Sequence, residues 1–350
     1  MNKVINLRSD TVTQTSLQMR SFLSQAEVGD DAYGEDKSVN FLQDYCKELF
    51  GVEDALFSTS GMLSNRLALL CQTTPGDEVV LDYHYHINFF DSAATASICH
   101  VVLNTRSTQT GILTVEEVDK ALQSKPRYYY FSQVKAVVVE NTINGWVGKI
   151  FPFDELKRLR LYTQEKSMAL HLDGARLFNA HVETGISLSD YASQVDTLSV
   201  CFSKGLGAPF GSILLGKKEI LHEARKHRLW LGSGVHQSGF QAAAAYYALK
   251  HNIPFLKTDH EKTKTFKLSL EKIEDLELHP DSGSTNMIQM SVQNSNLSSQ
   301  EFIDACEEQG LLLFPWLPGI IRAVVHRDIS EKDLHRAVKI IKDVLGKKNE

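Results

Sequence analysis

SVCFSKGLGAPFGS, residues 199–212, is the stretch whose reading decides the fold. Its start completes an apolar run, TLSVCF at 197–202, that reads as a buried strand. The strand runs out at Ser203-Lys204 into a turn carrying Gly205 and Gly207. A lysine at a strand end, on a tight glycine turn, can aim its amine into a cleft and there meet a carbonyl cofactor. A solvated lysine in a glycine-rich loop has the same local sequence, so the turn alone does not separate the two.

The preceding segments repeat the pattern. KAVVVE at 135–140 reads as a strand ending in polar Glu140-Asn141-Thr142, residues 153–166 as a helix, and MALHL at 168–172 as a strand ending at Asp173. Strand, helix and strand in this order imply a parallel sheet with crossover helices, whose ligands sit at the carboxyl ends of the strands. Asp173 opens Asp173-Gly174-Ala175-Arg176. A carboxylate buried beside a pyridinium nitrogen keeps it protonated, so that the ring can accept electrons from a carbanion. Gly174 and Ala175 leave room beside a flat ring, and Arg176 adds a forked cation suited to an anionic oxygen. Taken alone, Asp173 reads equally well as a helix cap. A phosphate site fits Ser58-Thr59-Ser60-Gly61-Met62, between a short strand at 55–57 and a helical stretch at 63–70, because free N–H groups at a helix start bind phosphate.

At 350 residues, with 43% hydrophobic and 23% charged side chains, the chain can bury a large core and has room for two domains. A formal charge of −6 argues against nucleic acid or an anionic membrane as partner. The start, MNKVINLRSDTV, lacks the apolar core of a signal peptide, and no apolar run is long enough to span a bilayer. Five scattered cysteines without a CxxC pair suggest neither disulfides nor a metal site, and point to the cytoplasm. The Ala-rich stretch 241–249 ends in HNIPF, which sets a boundary near 248–252. The expected division is a large domain at 20–250 and a small α/β domain at 251–350 completed by 1–19. Ser330-Glu331-Lys332-Asp333 reads as a helix N-cap box, followed by Leu334, Val338, Ile341 and Leu345 on one face of a final helix.

INLRSDT near the N-terminus, VGDDAYGED at 28–36, VENTINGWVG at 139–148, HLDGARLFNA at 171–180 and the run around Lys204 together resemble the threonine aldolases, in the β-eliminating lyase group of pyridoxal-phosphate enzymes. The resemblance implies the aspartate aminotransferase fold (fold type I), with a mainly parallel seven-stranded sheet in the large domain. It implies that Lys204 is the Schiff-base lysine, that Asp173 partners the pyridine nitrogen, and that His86 stacks on the ring and helps with proton transfer. Ser60, Gly61, Met62 and Ser203 fall on the cofactor's phosphate and lysine turns, and Arg176 is near the cofactor. Ser9, Arg176 and Arg322 match the groups that hold the substrate carboxylate. Tyr33 matches a tyrosine reaching into a neighbouring subunit's site, so a homodimer or homotetramer is expected.

Three positions depart from the family pattern. Ile143 stands where a second histidine usually lies near the substrate hydroxyl, Met62 replaces a phosphate hydroxyl donor, and His236 replaces an arginine expected near the phosphate. Phe210 and Trp230 are bulkier than the pattern and read as packing residues. Three functions therefore stand side by side. One is retro-aldol cleavage of a β-hydroxy-α-amino acid to glycine and an aldehyde. Another is a lyase acting by β-elimination, with Ile143 in an apolar wall. The last is a weakly active homologue with a binding role.

Overall fold

The computed structural model describes residues 3–126 and 128–346. After β1 (Ile5–Asn6), seven strands build the main sheet: β2 (Asp54–Ser58), β3 (Glu78–Asp82), β4 (Val102–Arg106), β5 (Val134–Glu140), β6 (Ala169–Gly174), β7 (Thr197–Cys201) and β8 (Ser212–Gly216). Their order across the sheet is β2-β8-β7-β6-β5-β3-β4. Every pairing from β7 to β4 is parallel. Only β8 runs antiparallel, to β7 on one side and β2 on the other. The expectation of a mainly parallel seven-stranded sheet matches this topology.

Parallel strands covered by helices on both faces need apolar side chains throughout. Val137, Val138 and Val139 of β5 meet that need and are fully buried. The helices Gly61–Gln72, Phe153–Glu165 and Leu177–Thr184 supply the cover. Two sequence-derived bounds shift. Asp173 lies inside β6 rather than after it, because its backbone stays in register with Glu140 and Ser199. The helix expected from 63 begins at Gly61, since Ser60 caps it by accepting the Leu63 N–H at 3.2 Å. The carboxyl ends of β3, β5 and β6 thus present Asp82, Glu140 and Asp173 along one edge of the sheet.

A second apolar core gathers Ile5 and Leu7 with Phe266, Ile288, Phe302, Ile321 and Ile341. It lies under a four-stranded sheet of order β12-β13-β10-β9, built from β9 (Glu277–Leu278), β10 (Met287–Ser291), β12 (Phe314–Leu317) and β13 (Ile320–Val324). β11 (Leu311–Leu312) pairs in parallel with β1. The helix Phe255–Leu270 joins the two cores, with Leu256 in the first and Phe266 and Leu270 in the second. The final helix Glu331–Gly346 starts at the expected box: Ser330 Oγ accepts the Asp333 N–H at 3.1 Å, and Asp333 accepts the Ser330 N–H at 3.0 Å.

The N-terminal segment is therefore part of the second core. Leu7→Ala should cost about 2–5 kcal/mol, from lost transfer energy plus a cavity, seen as a lower denaturation midpoint. A change under about 0.5 kcal/mol would mean that the segment is not packed there.

Candidate active site

The edge described above gathers most of the side chains singled out in the sequence. Lys204 lies just past the end of β7, and its carbonyl accepts the Thr13 hydroxyl at 2.9 Å and the Gly207 N–H at 2.9 Å. Those two bonds hold the lysine's turn against the N-terminal segment. One strand over, Asp173 is 2% exposed. Its Oδ2 accepts from the Asn65 side-chain amide at 2.7 Å and its Oδ1 from the Ala175 N–H at 3.1 Å. Gly174 is required beside it, because a Cβ there would stand 2.7 Å from both Leu198 Cδ1 and the Ser199 carbonyl oxygen.

His86 opens a short helix, His86–Phe89, after β3. Its backbone N–H donates to Glu140 at 2.6 Å, and its Nδ1 stands 3.8 Å from Asp91. Burial lowers the imidazole pKa to about 4, with Asp173 opposing and Lys204 and Arg176 adding to the shift. At neutral pH the ring is therefore uncharged and able to take a proton. Glu140, on β5 beside Asp173, accepts two backbone N–H groups, from His86 and, at 2.7 Å, from Asn144. Burial and the charge of Asp173 raise its carboxyl to about 8, against the pull of those two donors.

The anion-binding side is unequal in charge. Arg176, 6% exposed, forks onto Asp10 through Nε at 2.8 Å and a terminal nitrogen at 2.6 Å. Arg322, 5% exposed, has no carboxylate of its own among the described residues. It donates to Asn144 Oδ1 at 3.0 Å and to the Arg8 carbonyl at 3.2 Å, stacks over Trp316 at 4.5 Å, and keeps its Nε buried without a hydrogen-bond partner. The other terminal nitrogen of Arg176 reaches the same Asn144 oxygen at 3.4 Å. Two guanidinium groups thus converge on one amide oxygen with a single carboxylate between them. A buried, uncompensated positive charge is costly, and an incoming carboxylate removes that cost. Burial, followed by the charge of Arg176, lowers the Arg322 pKa to about 10.

Ser60 and Gly61 lie at the start of the helix Gly61–Gln72, whose first N–H groups are free for an anion. Gly61 is packed so closely on β7 that a Cβ would stand 2.5 Å from Cys201 Sγ. Met62 points outward. The segment after the helix Lys218–Trp230 approaches this turn through Ser233, 3.1 Å from the Thr59 hydroxyl. His236, by contrast, is exposed and faces Asp30 at 2.8 Å. A cation that sequence reading missed lies closer: Arg228 is buried, donates to the Phe57 carbonyl at 2.8 Å and pairs with Asp31 at 2.8 Å. Ser9 caps a short turn by accepting the Thr11 N–H at 3.2 Å. Tyr33, 80% exposed, projects into solvent away from any core. Ile143 is fully buried in the main core, its N–H donated to the Lys149 carbonyl at 2.8 Å.

These residues fit a flat, anionic cofactor joined to an amino acid. A carboxylate, a lysine and a helix start lie together at the carboxyl ends of the strands, and Gly61 and Gly174 let the helix start and β6 pack closely against β7. The orphaned Arg322 Nε supplies an anion site beside them. Asp10, Asn65 and Asn144 were not singled out from sequence, and Glu140 was read only as a polar strand end. Asp10 and Asn144 lie within the quoted motifs LRSDT and ENTING, and that adjacency is the signal that could have found them. Asn65 has no comparable local signal.

The sequence profile of the Beta-eliminating lyase family matches residues 6–293. The low specificity L-threonine aldolase of Escherichia coli (strain K12) is 36% identical over 333 residues, covering 95% of this chain and 96% of the relative. A probable low-specificity L-threonine aldolase 2 of Arabidopsis thaliana is 32% identical, over 95% of this chain and 94% of its own. Among solved structures, the threonine aldolase of Leishmania major superposes with a TM-score of 0.83 at 21% identity, over 97% of this chain and 99% of that one.

The buried pair gives a test of the site's electrostatics. Burial pushes the Asp10 carboxyl up, but the charge and hydrogen bonds of Arg176 hold it well below the ordinary 3.8. The pair's contribution is therefore fully present above about 3.8 and is lost as pH falls towards the depressed folded value. Asp10→Asn, which strands a buried arginine, should lose about 3–5 kcal/mol at neutral pH. It should also show less additional acid destabilisation below pH 4 than wild type. Parallel acid limbs in the two proteins would rule the pairing out.

Proposed function

The chain belongs to the threonine aldolase and β-eliminating lyase family, and from that premise we propose that it is a lyase cleaving a β-hydroxy-α-amino acid of the threonine or allo-threonine type to glycine and an aldehyde. Its fold is that of the type I pyridoxal-phosphate enzymes. Pyridoxal phosphate, when bound, supplies a sink for the electron pair left on the α-carbon as the Cα–Cβ bond breaks. Lys204 would hold the cofactor's carbonyl carbon, Asp173 its ring nitrogen, and the N–H groups at Ser60, Gly61 and Met62 its phosphate, with Ser203 beside the lysine.

The observation that carries the reading is the unbalanced charge at Arg322. A substrate α-carboxylate supplies the missing negative charge and finds the free Nε donor. Arg176 presents its remaining nitrogen to the same place, while Asp10 fixes its fork. Ser9 stands on the same segment as Asp10. Uncharged His86 takes the β-hydroxyl proton as the carbon–carbon bond opens, and the nearby Asp91 favours the tautomer whose Nε2 lone pair is free. Ile143, packed in the core, supplies no base, so the reading rests on His86. His86 does the work alone.

We also propose that residues 20–250 form the cofactor-binding domain and that 251–350 with 1–19 form the small domain, a division supported by the two separate cores. A homodimer or homotetramer is supported by exposed Tyr33 and Phe41 and by Trp230, which reads from sequence as a packing residue but is exposed in the single chain. The five free cysteines favour the cytoplasm. Among the described residues no helix is long and apolar enough to cross a membrane.

Purified protein incubated with pyridoxal phosphate and a panel of β-hydroxy amino acids should release glycine. Lys204→Ala should lose borohydride-fixed cofactor and about 10³-fold or more in rate. Arg322→Met should raise KM for the amino acid by about 10²-fold or more, with a smaller effect on kcat. Elimination products without glycine would replace the aldol reading by the β-elimination one, and no turnover on any substrate would leave a binding role.

Substitution at Ile143 separates a missing base from a packed wall. Ile143→His should not raise glycine release, and should cost about 1–3 kcal/mol by burying an unpaired polar ring. A clear gain in turnover would show that a second base had been limiting after all.

A further inference from the structure

The ring nitrogen's proposed partner is the last member of a buried polar chain that crosses the sheet. Asn65 lies on the helix Gly61–Gln72, His171 and Asp173 on β6, and Thr197 and Ser199 on β7. A carboxylate only accepts, so Asn65 must turn its NH₂ to Asp173, at 2.7 Å, and its oxygen the other way. That oxygen meets the Ser199 hydroxyl at 2.7 Å and His171 Nε2 at 3.1 Å, and both must donate to it. His171 is fully buried, and burial lowers its pKa to about 4, so the ring carries one proton. With that proton on Nε2, Nδ1 accepts from the Thr197 hydroxyl at 2.8 Å, and the Thr197 oxygen accepts in turn from the Gln72 amide at 2.8 Å. Every link points the same way, from Gln72 through Thr197, His171 and Asn65 to Asp173.

We propose that His171 and Asn65 are positioning residues for the cofactor's ring nitrogen: they fix the orientation of Asp173 and hold it as an acceptor. This rests on the placement of the ring nitrogen at Asp173 proposed above. Two observations carry it beyond core packing. Apolar side chains of the same volume could often fill a sheet interior at no cost in stability, so the fold alone does not call for a polar chain there. The chain also has a single consistent donor direction, and reversing it would require a proton on Asp173. A carboxylate so held offers its remaining lone pairs to a protonated ring nitrogen. Delocalised through His171, the constraint reaches Thr197 on the neighbouring strand.

The test compares the affinity of the apoprotein for pyridoxal phosphate with that for its carbocyclic analogue, in which the ring nitrogen is C–H. Both are read by equilibrium dialysis and need no turnover. Wild type should prefer the natural cofactor. His171→Leu should reduce that preference by about tenfold or more, the size of a lost charge-assisted bond. His171→Gln, which can donate to Asn65 and accept from Thr197, should restore most of it. Asp173→Asn is the control. If its preference is unchanged, the ring nitrogen does not sit at Asp173 and the parent reading fails. If Asp173→Asn loses the preference and folded His171→Leu keeps it, only the positioning role is overturned. Equal weakening towards both ligands in His171→Leu shows a packing role and overturns it too. Should His171→Leu fail to fold by circular dichroism, Thr197→Val removes the donor to Nδ1, together with the acceptor of the Gln72 amide, and leaves His171 and Asn65 in place. It should reduce the preference in the same direction, and an unchanged preference overturns the proposal.

Discussion

The bidentate pair between Asp10 and Arg176 is the contact on which the rest of the site depends. Asp10 belongs to the N-terminal segment, which starts in the second core through Ile5 and Leu7 and pairs with β11. Within a few residues that segment reaches Arg176 beyond β6 and, through Thr13, the carbonyl of Lys204 beyond β7. Both cores and two strand ends are thus tied by one short stretch of chain. The fork also settles the charge of the cleft. By neutralising Arg176 it leaves Arg322 as a buried cation still in need of an anion, a deficit that the proposed substrate carboxylate would fill.

Placement of polar groups follows from the sheet. Side chains within β5 and β7 are buried on both faces, and that interior tolerates polarity only where each group finds a partner. Carboxylates and amines therefore collect at the strand ends, where loops supply N–H donors, as Asn144 and His86 do for Glu140. The chain running from the Gln72 amide nitrogen to Asp173 brings polarity into the sheet with each successive link hydrogen-bonded, as Ser58, Ser64 and Ser212 do between β2 and β8.

Much of this was legible in the sequence. The valine run of β5 and the strand-end positions of Asp173 and Lys204 come from local patterning, and local patterning also gave the box at Ser330. What was illegible depended on which side chains face one another across elements. Asn65 sits one helical turn past the phosphate turn, and nothing nearby in sequence pairs it with Asp173, 108 residues away. Arg176 read as a free anion clamp because its counter-ion is 166 residues distant. The exchange of an arginine for His236 suggested a weakened phosphate site. Yet His236 faces Asp30, and buried Arg228 stands next to the Phe57 carbonyl just before the turn. Motifs that resemble a known family pointed to the chemistry, while the electrostatic balance became readable only in three dimensions.

Glu140 shows how closely that balance is drawn. Its two oxygens hold the backbone of His86 and of Asn144, the first carrying the proposed base and the second the oxygen shared by the two arginines. Those N–H donors favour the carboxylate, whereas burial and the neighbouring Asp173 favour the acid, and the opposition leaves the group near 8. An ionised Glu140 accepts both donors well, and a proton on either oxygen removes acceptor capacity from one loop. The side chain that holds the backbone of both His86 and Asn144 is therefore one on which burial and hydrogen bonding pull in opposite directions. A cationic ring nitrogen at Asp173 would offset the negative charge that raises Glu140, shifting it towards the carboxylate and tightening both loops.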